Sequence, residues 1–221
     1  MNWAVAAVLG GVVGLDGISF PQAMISRPLV AGALAGWIAG MPQEGVMLGA
    51  VLEAFHLAIL PIGASRYPES GTATVAATIA YVWAAPIDTG AGILLALVFA
   101  LAWERLTGAS VTVLRHANER ILAWRGGARS ARGIEARHLL AMAADLVRGA
   151  VVTLAGAGAG FLWLELLEPL WSSGPVLTRG VVVAAAAGTA AAALRVFGGW
   201  AARWKLFVAG LACGLLLLVV R

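Results

Sequence analysis

Residues 47–74 read MLGAVLEAFHLAILPIGASRYPESGTAT, and they decide the fold class because ionisable groups stand inside otherwise lipid-soluble sequence. Glu53 and His56 are three residues apart, so a helix carries both on one side, and the apolar residues around them offer no local partner. At membrane depth such groups face protein or water. The apolar run breaks at Pro61, continues through Ile62, Gly63, Ala64 and Ser65, and meets Arg66, Pro68 and Glu69 before apolar sequence resumes at Thr72. A broken hairpin with a polar tip fits this order. Irregular backbone survives at membrane depth only where protein buries it or where it lines a cavity, which is how many transporters build a substrate site.

The rest of the chain agrees. Hydrophobic residues make up 61% and charged residues 12% of the 221, with a mean hydropathy of +0.91, against about 25% charged residues in a typical soluble domain. The fold class is therefore all-α, a polytopic membrane protein with about seven to nine transmembrane or re-entrant segments at roughly 20 residues per full span. A single membrane domain over residues 1–221 is expected, divided into half-helices and a substrate turn (1–110), a basic loop (111–148) and C-terminal helices (149–221). The formal charge of +4 does not imply nucleic acid, because the arginines gather at presumed membrane ends and in one central stretch, as topology alone requires. The single cysteine, Cys213, excludes a disulfide framework within the chain and reads as a packing residue. With no basic region before Trp3 and with Asp16 interrupting the first apolar run, that run is not read as a cleaved signal peptide.

Outward from the central stretch, Gly10, Gly11, Gly14 and Gly17 give the first segment small faces for close helix contact. Asp16 near its end reads either as an interfacial helix-terminal acid or as a cavity-lining acid. Gln22 and Arg27 follow, and Pro28 suits the first turn of a new helix. Residues 29–40 are apolar but too short to cross about 30 Å of hydrocarbon at 1.5 Å per residue, so they form a half-helix; residues 41–45 are expected to turn back into the Glu53 helix. A return limb (72–85), a turn (86–89) and a tilted span (90–106) come next. The arginine-rich residues 115–148 break the membrane pattern and are read as a cytoplasmic loop, partly amphipathic helix, serving either as an anchor on anionic lipid or as a docking site for a cytosolic partner. Glycines 156, 158 and 160 permit close contact in the span after it, and Trp163, Trp171 and Trp200 read as interfacial anchors. A loose echo of SRPLV (26–30) in TRGVV (178–182) suggests an inverted repeat with broken helices.

Three blocks in order, SRPLVAGALAGWIAG (26–40), LGAVLEAF (48–55) and LPIGASRYPESGTAT (60–74), make the chain resemble the IIC subunit of the mannose, fructose and sorbose family of bacterial phosphotransferase sugar permeases. HANERILAW (116–124) and RHLLAMAADLVRGAVVTL (137–154) resemble the family's central loop and following helix, whereas the last fifty or so residues match in hydropathy alone. The resemblance implies a multi-pass protein of the bacterial inner membrane that carries sugar and is no enzyme itself. It also implies a IID membrane subunit, cytosolic IIA and IIB phosphoryl carriers, and assembly as a trimer of heterodimers. Where members of the family often have Pro-Asp this chain has Pro68 and Glu69; His56, Pro61, Arg66 and Tyr67 are further departures, which leaves the sugar open.

The candidate substrate-binding set is Gln22, Arg27, Glu53, His56, Pro61, Gly63, Ala64, Ser65 and Glu69, with no catalytic residue, metal or cofactor. Carboxylates and amides accept and donate to sugar hydroxyls, and small turn residues let a ligand reach backbone N–H groups. Each has a plainer reading beside it: Glu53 as a neutral carboxyl bonded to freed backbone, Arg27 as a half-helix anchor, Gly63 and Ala64 as a tight turn. Two further functional classes stay open. Glu53 and His56 on one face would suit a proton-coupled or facilitated transporter derived from the same family. An intramembrane enzyme or structural partner lacks support, since the three histidines are scattered and no phosphate-cradling glycine-rich loop with lysine is present.

The arginine excess predicts that residues 115–148 are cytoplasmic. Cysteines placed at Asn118 or Ser130 should resist an impermeant thiol reagent in intact cells, and ready labelling from outside would contradict the assignment.

Overall fold

The computed structural model describes residues 2–57, 68–86, 89–123, 130–173, 175–196 and 198–219. Pro61, Gly63, Ala64, Ser65, Arg66 and Tyr67, Gly126 and Gly127, and the side chain of Cys213 lie outside the described residues. Those described form eight α-helices: α1 (Trp3–Ile18), α2 (Pro28–Ala39), α3 (Pro42–His56), α4 (Ser70–Ala84), α5 (Thr89–Ala123), α6 (Ala131–Leu167), α7 (Pro175–Val196) and α8 (Gly199–Val219), with a single 3₁₀ turn at Glu168–Leu170.

Pro28 opens α2, and Gly40 in the left-handed region (φ 87°) closes it. At 12 residues α2 spans about 18 Å, well short of the roughly 30 Å hydrocarbon layer. The expected half-helix is present. The expected turn over 41–45 is shorter, because Pro42 already begins α3: a proline lacks only the N–H that a first-turn residue leaves unpaired anyway. The two helices pack through glycine. A methyl placed on Gly36 would lie 2.8 Å from Gly45 Cα, and one on Gly32 would lie 2.9 Å from Gly49 Cα, so these backbones touch with no room for a side chain. The same device joins α1 to α6, where a methyl on Gly14 would meet Gly149 Cα at 2.7 Å.

At the centre is α4, buried continuously from Gly71 to Tyr81. A helix enclosed on every side has no solvent or lipid face, so its small residues are contact surfaces for others. Gly156 and Gly160 of α6 receive it: their added methyls would lie 2.8 Å from the Cβ atoms of Ala76 and Ala80. Trp163, expected at the membrane interface, packs instead beside this core and donates from Nε1 to the Leu95 carbonyl at 3.1 Å. Trp200 is exposed and Trp171 bonds Thr178 Oγ1 at 3.1 Å.

The largest difference from expectation lies in the basic region. The span read as 90–106 continues unbroken to Ala123, and α6 already begins at Ala131, so most of residues 111–148 is helix, not loop. No glycine or proline interrupts residues 109–125, and arginine, alanine and leucine are good helix formers, so the arginines do not end α5 before Ala123. At 35 and 37 residues, α5 and α6 are about 52 and 56 Å long and must project beyond the hydrocarbon layer. Arg137 of α6 ties them together by donating to the Leu122 carbonyl.

By length and composition, residues 90–123, 131–170 and 178–196 are each apolar enough to cross a membrane. The chain is thus a multi-pass membrane protein. α7 packs against α3 and α5, and α8 against α7. Arg27 caps α2 from outside whereas Arg179 falls inside α7, so the SRPLV and TRGVV echoes do not occupy matching places.

Candidate functional site

Four chain segments converge where α1 ends, α3 ends, α4 begins and the middle of α5 passes. They enclose a cavity of about 430 Å³.

The wall from α1 depends on Asp16. Its carboxylate, 1% exposed, accepts from Ala23 N at 2.6 Å and from Ser26 N at 2.8 Å, folding residues 19–26 back over the helix end. Gln22 (φ 60°) and Met24 (φ 65°) sit in the left-handed region inside that turn. Each costs about 1–3 kcal/mol for a side chain other than glycine, and two charge-assisted bonds to Asp16 offset this. Asp16 is thus both an acid at the end of α1 and part of the cavity lining. The turn presents Gln22, Ser26 and Arg27 to the cavity.

Glu53 stands one layer behind Arg27. Its Oε1 pairs with the Arg27 guanidinium and its Oε2 accepts from Leu29 N at 3.3 Å. The carboxylate thereby supplies an anion at the N-terminus of α2, where amides have no helical partner. Arg27 remains 43% exposed, so the pair adds little to stability on its own. His56 turns the other way. Its Nδ1 is 2.7 Å from the Leu52 carbonyl and its Nε2 is 2.8 Å from Glu104 Oε2 on α5, off the line of a well-aligned N–H bond.

The floor is a network of buried charge. Glu69, immediately before α4, receives both terminal nitrogens of Arg148 at 2.6 and 2.8 Å. Arg148 Nε donates to Asp145 Oδ1 at 3.0 Å, Ser19 Oγ donates to Asp145 Oδ2 at 2.6 Å, and Arg148 also donates to Ser110 Oγ at 3.1 Å. The Glu69 backbone joins the same network: its N–H donates to the Glu104 carbonyl at 3.1 Å and its carbonyl accepts from Thr107 Oγ1 at 3.0 Å. The bidentate fork fixes the Glu69 carboxylate in one plane, a geometry that lysine could not supply.

Of the expected site residues, Gln22, Arg27, His56 and Glu69 share the cavity wall, while Glu53 acts on it through Arg27. Pro61, Gly63, Ala64 and Ser65 lie outside the described residues. Sequence reasoning missed Glu104, Asp145 and Arg148, and with them Thr112 and Arg115 on the α5 wall. Glu104 inside an apolar run, and Asp145 three residues before Arg148 on one helix face, were the available signals. Among the described residues, no cluster suits a metal ion. The cavity offers hydroxyls, an amide, guanidinium groups and carboxylates together, which is the chemistry of a polyhydroxy ligand.

Comparison with known proteins bears on the family and the fold. The family model described as the PTS system sorbose-specific IIC component matches residues 1–163. The chain is 31% identical over 154 residues to the fructose permease IIC component of Bacillus subtilis, covering 68% of this chain and 53% of the relative. It is 30% identical over 164 residues to the sorbose-specific EIIC component of Klebsiella pneumoniae, covering 72% and 58%. The chain thus spans about half the length of the curated relatives it matches. In fold it is similar to a membrane protein structure (TM-score 0.69, 20% identity, 99% of this chain and 90% of that one). It is also similar to a chain of the cryo-EM structure of the mannose transporter ManYZ with a microcin (TM-score 0.56, 21% identity, 96% and 85%).

The network predicts a strong asymmetry between removing one partner and removing all. Arg148→Met should cost about 3–5 kcal/mol by leaving two buried carboxylates uncompensated, seen as a lower melting temperature in detergent. Adding Glu69→Gln and Asp145→Asn should recover at least half of that loss. If Arg148→Met melted like the unaltered chain, the network would not be what holds the floor.

Proposed function

Because the chain belongs to the sorbose-specific IIC family of the phosphotransferase system, we propose that it is the subunit that moves a hexose-type sugar inward across the bacterial inner membrane, for phosphorylation by a separate IIB protein. The observation that carries this reading is the polar cavity between α1, α3, α4 and α5. Its volume of about 430 Å³ falls within the roughly 300–1,000 Å³ usual for small-molecule sites. Its walls combine donors from Arg27, Gln22 and Ser26 with acceptors from Glu69 and Asp16, so hydroxyls can be met from several sides without a metal.

In this reading Gln22, Arg27, His56 and Glu69 meet the sugar. Glu53 aims Arg27. A IID membrane subunit completes the translocating unit, in a hetero-oligomer that follows the trimer-of-heterodimers pattern, and cytosolic IIA and IIB proteins supply the phosphoryl group. In this reading the chain itself is a carrier, and phosphoryl transfer belongs to its partners.

The test is binding of a panel of mannose, fructose, sorbose, amino sugars and sugar acids to the membrane complex. Glu53→Gln, which keeps the volume and removes the charge that orients Arg27, should leave the complex assembled and weaken binding at least tenfold, about 1.4 kcal/mol. Arg27→Met should weaken it as much. Unchanged affinity in both variants, or sugar phosphate formed by this chain alone from phosphoenolpyruvate, would overturn the reading.

A further inference from the structure

His56 and Glu104 are both buried, with side chains 6% and 3% exposed, and only His56 of the two lines the cavity. The hydrogens of the pair follow from its contacts. His56 Nδ1 lies 2.7 Å from the Leu52 carbonyl; a carbonyl only accepts, so Nδ1 carries hydrogen and Nε2 is the remaining ring nitrogen. Glu104 Oε2 stands 2.8 Å from Nε2. A bare nitrogen lone pair and a bare carboxylate oxygen at that distance repel each other, so a proton resides on one of the two atoms. The pair is then neutral overall, either imidazolium with carboxylate or imidazole with carboxylic acid.

We propose that His56 and Glu104 form a proton-binding site in the wall of the cavity, holding one proton in the conformation seen here. The charges around it are already committed. On α3, Glu53 is bound to Arg27 and caps α2. On α5, Arg105 Nε is 3.8 Å from the other oxygen of Glu104 but is 72% exposed, and Arg115 lines the cavity farther along. Across the cavity, Glu69 is held by Arg148, which Asp145 also holds, and Asp16 by the amides of residues 23 and 26. The helix α7, which also packs on α3, contributes only the exposed Arg179 and Arg195. Loss of the proton would leave a carboxylate charge in the membrane interior with little compensation, which is costly. Release therefore accompanies separation or hydration of the pair, and so a change at the cavity wall. The use of that proton in transport rests on the sugar-carrier reading; the site itself does not.

The experiment is nitrogen NMR on the full chain, labelled with ¹⁵N-histidine and reconstituted in nanodiscs. The exposed His116 and His138 are replaced by glutamine, so that the one remaining signal is His56. An infrared difference between this protein and its Glu104→Gln form supplies the carboxyl side. At about neutral pH, either both ring nitrogens of His56 carry hydrogen, or a protonated carboxyl band is present that Glu104→Gln removes. In Glu104→Gln the ring should keep hydrogen on Nδ1 alone. A His56 ring with bare Nε2 beside an ionised Glu104 would overturn the proposal and leave the sugar-carrier reading untouched; that protein alone decides the matter if the Glu104 variant fails to fold.

Discussion

A buried guanidinium has to be matched, and the fold around Arg148 is arranged to match it. Arg148 is always charged, and it meets Glu69 through two nitrogens, Asp145 through its third, and the hydroxyl of Ser110. Those contacts draw in the end of α1 through Ser19, the start of α4 through Glu69, and the middle of α5 through Ser110. Each of these segments contributes to the cavity floor or wall. Without the network, α1 and α6 would still pack through Gly14 and Gly149, but the Glu69 carboxylate at the start of α4 would lose the partner that ties it to α6.

The second constraint is close backbone packing. The α2–α3 hairpin joins through four glycines, Gly32 and Gly36 against Gly45 and Gly49, and this contact sets where Arg27 and His56 emerge on the cavity. Small residues give the hairpin its geometry; charged ones give the cavity its chemistry. Asp16 couples the two, since its bonds to the amides of residues 23 and 26 hold the strained turn that delivers Arg27 to the cap of α2. Function in such a site follows from which acids and bases are internally paired and which edges remain directed at the cavity.

Much of this was legible in the sequence, and for identifiable reasons. Pro28, the short apolar run after it and Gly40 gave the half-helix; the glycines of the first and sixth helices gave their contact faces. The pairing of charges was not legible. Glu53 and His56 are three residues apart and so point about 60° apart around the helix, enough for one to reach α2 and the other α5, although spacing alone had suggested a shared environment. Arg148 sat at the end of an arginine-rich stretch whose topological role explained it too readily, and only the register of helices 79 residues apart brings it to Glu69. The continuity of α5 was missed because the span over residues 90–106 and the amphipathic helix after it read as separate segments, when the absence of glycine and proline over residues 109–125 was the better guide.

The account stands on the cavity being where solute binds, and site-directed protection tests that most directly. In a chain with Cys213 replaced by serine, Thr112→Cys places a thiol on the α5 wall of the cavity, and Glu119→Cys places one on an exposed face two turns farther along α5. The sugar bound by the intact complex should slow thiol labelling at position 112 in a dose-dependent way and leave position 119 unchanged. Equal labelling at position 112 with and without saturating sugar, in a complex that still binds it, would contradict the account.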